Sequence, residues 1–89
     1  MEKTVKYANS VIEALKQKYA EGVVKDFVIP PLINIKTCKE IGFAVILYVA
    51  SKYDYSEELL GVWKEKFGAD EYIISVKRNQ LQIKFIIRY

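Results

Sequence analysis

Histidine is absent from this chain. With it go the commonest general base, the commonest metal ligand and every serine–histidine or cysteine–histidine pairing that activates a nucleophile. Cysteine occurs once, at Cys38. A single thiol excludes an internal disulfide and a thiolate zinc site, and it fits a reducing cytoplasm. With no histidine to ionise it, Cys38 reads as a small core-filling side chain rather than a nucleophile. Glycine is sparse and scattered, at Gly22, Gly42, Gly61 and Gly68, so no phosphate-cradling loop can be built from it. The most apolar run, residues 41–50, is ten residues long, about half of what a membrane helix needs. The first residues, MEKTVKY, are charged and lead into no apolar stretch of the kind a secretory signal carries. The acidic pairs Glu57-Glu58 and Asp70-Glu71 stand at the starts of expected elements, where a helix dipole or a solvated turn accounts for them. No catalytic residue, metal ligand, cofactor or small-molecule substrate can be assigned. The expectation is a cytoplasmic protein that is not an enzyme and has no membrane partner.

What is present suffices for one domain over residues 1–89. With 52% apolar and 28% charged residues, a core forms without disulfide or metal staples. The richness in Lys, Glu, Ile and Tyr suits a thermophile. Charge is unevenly placed. Residues 77–89 hold Lys77, Arg78, Lys84 and Arg88 and no acid, while the rest is nearly balanced, so the net charge of +3 belongs to the last element. That element alternates. Leu81, Ile83, Phe85, Ile87 and Tyr89 fall on one face, with Gln82, Lys84, Ile86 and Arg88 on the other. This is the pattern of a half-buried strand with a basic outer face. Lys and Arg on such a strand either guard an edge against aggregation or contact phosphates. Tyr53, Tyr55 and Tyr72 could stack on bases, but tyrosines at strand and helix ends read first as the rim of the core. Ile86 breaks the polar face, so Phe85, Ile86 and Tyr89 are the expected contacts with a second copy or a protein partner.

The periodicity of Val5, Ala8, Ile12, Leu15 and Tyr19 predicts a helix over residues 3–20, stopped by Gly22. Residues 23–29 and 32–37 read as strands separated by Pro30-Pro31. Residues 41–50 are apolar on both faces and read as a central strand. Thr37 and Glu40, however, have the spacing of a capping box, which would open a buried helix instead. A second helix is expected over residues 55–67, capped by Asp54 or Ser56, with Leu59, Leu60, Trp63 and Phe67 as its buried stripe and Gly68 at its end. A hairpin of residues 71–77 and 81–88 turns at Arg78-Asn79-Gln80. The fold class is α+β: helix, three strands, helix and two-stranded hairpin around one mixed sheet. If residues 41–50 are helical, the alternative is a winged helix with Lys77-Arg78-Asn79 at the tip of its wing.

This order of elements, with strands around Phe27, Ile35 and Val45, resembles the core of the restriction-endonuclease-like nucleases. It is also similar to the catalytic-domain fold of the tRNA-splicing endonucleases. The nucleases place an acid, one residue and a lysine at the end of the third strand. Here that place reads Ala50-Ser51-Lys52, which keeps only the lysine, and Asp26 lies in the first strand. The splicing enzymes need a histidine that this chain lacks. What the resemblance implies is a non-catalytic, oligomerising subunit in nucleic-acid processing that presents Lys77, Arg78, Lys84 and Arg88 to RNA or DNA. The competing readings are a winged-helix DNA-binding regulator and a protein-binding module that uses no nucleic acid.

Overall fold

The computed structural model describes residues 4–19 and 22–89. Its elements are α1 (Val5–Tyr19), β1 (Val24–Val28), β2 (Pro31–Ile33), β3 (Glu40–Val49), α2 (Glu57–Phe67), β4 (Glu71–Lys77) and β5 (Gln80–Arg88). The chain is α+β, in the order helix, three strands, helix, hairpin. Its five-stranded sheet has the order β1-β3-β5-β4, with β2 also on β3. Every ladder is antiparallel, where a mixed sheet was expected. The reason is local. β3 and β4 point the same way across the α2 crossover, but β5 folds back between them and pairs with both.

Thr4 opens α1 by accepting the Tyr7 amide at 3.1 Å. Residues 3 and 20, the expected helix ends, lie outside the described residues. Ser56, not Asp54, caps α2, accepting the Leu59 amide at 3.1 Å. Gly68 ends α2 in the left-handed region at φ 66°, and the amides of Gly68 and Ala69 close onto the carbonyls of Glu65 and Lys64.

Residues 41–49 lie within β3, and the winged-helix alternative falls with that. Gly42 belongs there for a steric reason: a Cβ on it would lie 2.1 Å from the Ile87 carbonyl oxygen across the ladder. The second strand is shorter than expected. Asn34 turns the chain, its Oδ1 accepting the amides of Lys36 and Thr37 at 2.9 and 3.1 Å. Thr37 belongs to this turn, so the capping-box spacing has no helix to open. Cys38 also sits in it, at φ 59°, and is exposed rather than core-filling.

Both helices pack on one face of the sheet. Ala8, Ile12 and Leu15 of α1 and Leu60, Trp63 and Phe67 of α2 meet Phe43, Val45, Leu47 and Val49 of β3 and Ile83, Phe85 and Ile87 of β5. Side chains alternate along a strand, so the intervening residues of β3 and β5 point to the other face. Neither helix covers that face.

Candidate binding face of the sheet

The ladder registers arrange the uncovered face in rows. One row reads Val28, Ile46, Lys84, Ile73, and the next reads Asp26, Tyr48, Gln82, Ser75. Toward the other end lie Ala44, Ile86 and Glu71, then Leu32, Gly42 and Arg88. Lys77 falls on the same face by alternation along β4 and closes the hairpin opposite Gln80. Arg78 and Asn79 form its two-residue loop, with φ of 52° and 63°. Both values lie in the left-handed region that a hairpin turn of this length requires. The loop is thus one residue shorter than expected, because Gln80 already belongs to β5.

Three of the four expected basic residues therefore share the face, with Arg78 at its tip. Lys84 is central. It stands four positions along the strand from Gln80 on one side and from Arg88 on the other, roughly 13 Å each way at strand rise. Its lateral neighbours are Ile46 and Ile73, and among the described residues it has no ion pair. Glu71 is its nearest acid by register, one diagonal step away. Arg88 is held differently: its backbone amide donates to Asp70 Oδ2 at 2.9 Å, and its Nη1 lies 3.9 Å from the same oxygen.

The expected association residues are not brought together. Phe85 is 0% exposed, stacked at 4.9 Å between ring centroids on Phe67, and has no surface to offer a partner. Ile86 is 7% exposed and points to the opposite face. Tyr89 is exposed at the strand end, where its hydroxyl donates to Glu40 at 3.0 Å, which raises its pKa above the usual phenol value.

Tyr53, Tyr55 and Tyr72 pack against the core as its rim, in line with their first reading, and the base-stacking alternative finds none of them on the uncovered face. Tyr53 and Tyr55 form an aromatic cluster with Tyr19 and the fully buried Trp63, and Tyr72 packs on Phe85. Burial, reinforced by Tyr53, pushes the Tyr55 phenol up to about 12, and its hydroxyl donates to the Ala50 carbonyl at 3.1 Å. The aromatic residue on the uncovered face is Tyr48, in the row beside Lys84. Sequence reasoning missed it because residues 41–50 are apolar on both faces and give no sign of which side is covered.

Among the described residues no group of His, Cys, Asp and Glu is placed to hold a metal ion. No described helix is long and apolar enough to cross a membrane. Lys52, the position that matches the nuclease lysine, is exposed in the turn after β3, and Asp26 accepts the Phe27 amide. No protein-family model, curated protein or solved structure matches this chain.

Proposed function

We propose that this is a non-catalytic binding domain that takes a single-stranded nucleic acid across the uncovered face of its sheet. Lys84 carries the reading. It is a cation in the middle of an apolar row, without a counter-ion among the described residues, and an anionic ligand supplies what the fold does not. Tyr48 adds a ring for a base to stack on, and Lys77, Arg78 and Arg88 extend the positive track. An open face of a five-stranded sheet accommodates splayed bases but cannot enter a duplex groove as a helix does, which favours a single strand. The element order that resembles nuclease cores agrees with a supporting role in nucleic-acid processing.

The competing reading is a protein that covers the same face, favoured by the exposed side chains of Val28 and Ile73. Fluorescence anisotropy with labelled single-stranded RNA and DNA separates the two. The expected result is saturable binding that weakens severalfold in Lys84→Gln. In Lys66→Gln, which changes α2 on the other side of the molecule, it should be unchanged. Absence of binding at low salt, or equal loss in both variants, overturns the nucleic-acid reading and leaves the protein partner.

A further inference from the structure

The two edges of the sheet are built differently. On one, β1 breaks register between Val24 and Asp26, Pro30-Pro31 follows, and β2 breaks register again between Leu32 and Ile33. Bulges and prolines of this kind keep a sheet from pairing with another chain. On the other edge, β4 is seven residues long, without proline, and its ladder to β5 is unbroken. Its interior has no charge, and Ile73, Ile74 and Val76 are 48%, 47% and 67% exposed. Among the described residues, nothing protects this edge.

The β4 sequence, Glu71-Tyr72-Ile73-Ile74-Ser75-Val76-Lys77, is complementary to itself when reversed about Ile74. Laid antiparallel on a second copy, Ile74 faces Ile74, Tyr72 faces Val76, Ile73 faces Ser75, and Glu71 faces Lys77 at both ends. The backbone independently favours the same register, the one that pairs the most outward-pointing groups. Because Lys77 and Gln80 close a two-residue turn, they form a hydrogen-bonded pair, as do Ser75, Ile73 and Glu71 in alternation with their β5 partners. The amides and carbonyls of Tyr72, Ile74 and Val76 are therefore the ones that point outward. Centring on Ile74 pairs all three of them: Tyr72 with Val76, Ile74 with Ile74, Val76 with Tyr72. A shift by a single residue opposes outward-pointing groups to inward-pointing ones and loses the ladder.

We infer that β4 is a homodimerisation edge. A two-fold axis perpendicular to the sheet at Ile74 joins two five-stranded sheets into one of ten strands. Both pairs of helices then lie on one side and both uncovered faces on the other. The exposed Ile74 is then buried by Ile74 of the second copy, and Val76 by its Tyr72. This edge borders the uncovered face and shares Ile73 and Lys77 with it, but the pairing uses the outward backbone groups of Tyr72, Ile74 and Val76 and does not depend on what that face binds.

Exchange of the terminal charges tests the edge. Sedimentation of the wild-type chain to about 0.5 mM, a concentration suited to a small edge interface, should show mass rising from 10.3 kDa toward twice that value. Glu71→Lys places lysine opposite Lys77, and Lys77→Glu places glutamate opposite Glu71. Each is expected to weaken the dimer about tenfold through two symmetry-related like-charge contacts. The double variant restores opposite charges and should recover the wild-type dimer. Ile74→Lys, which sets lysine against lysine on the axis, should be monomeric with an unchanged circular dichroism spectrum. A wild-type chain that stays monomeric overturns the inference. So does an association indifferent to the single exchanges, or a double variant that folds normally but stays as weak as the singles.

Discussion

Tyr55 is the residue whose environment makes the sharpest solution prediction. An unfolded tyrosine ionises near 10.0, and the folded Tyr55 near 12. Below pH 10 both forms hold the proton and the contribution to stability is complete. Between the two values the unfolded chain has released its proton while the folded chain still holds it, so stability falls as pH rises. Denaturant midpoints should therefore decline through that window in the wild type and decline less in Tyr55→Phe, whose starting stability is lower because the bond to Ala50 is lost. Parallel curves for the two proteins would contradict this. Phe85 teaches the opposite lesson about single residues. It stands in the most basic stretch of the sequence next to Ile86, which made it look available, yet one residue of strand alternation puts it on the helix side at 0% exposure.

At the scale of elements, the patterns with one covered face were readable and those with two were not. β5 alternates apolar and polar residues, so its two faces follow directly from the order Gln82, Ile83, Lys84, Phe85. α1 and α2 follow from their stripes, and Gly68 marks its helix end correctly. β3 is apolar at nearly every position because a central strand is enclosed by neighbours as well as by the core. The same property hid Tyr48. The Thr37–Glu40 spacing was ambiguous because Asn34, three residues earlier, claims the amides of that segment for a turn. Asp54 and Ser56 were equal as caps for α2 by spacing, and only geometry separates them. Ser56→Ala should cost about 1 kcal/mol and Asp54→Ala less than about 0.5 kcal/mol in urea unfolding. The reverse order would mean that α2 begins earlier than described.

For the molecule as a whole, the decisive fact is asymmetry. Two helices cover one face of the sheet and neither covers the other, and the excess positive charge of the sequence lies on the strand pair that crosses that second face. The net charge alone is too small to attract nucleic acid nonspecifically with any strength, so the position of Lys84 matters more than the total. The salt dependence of single-strand binding is the most direct measure of that position. For the wild type, a plot of log affinity against log salt should have a slope of about −2 to −3, as expected when three or four cations displace counter-ions. Lys84→Gln should flatten it by about 0.7. A slope near zero, or one that Lys84→Gln leaves unchanged, would contradict the assignment of this face to a nucleic acid.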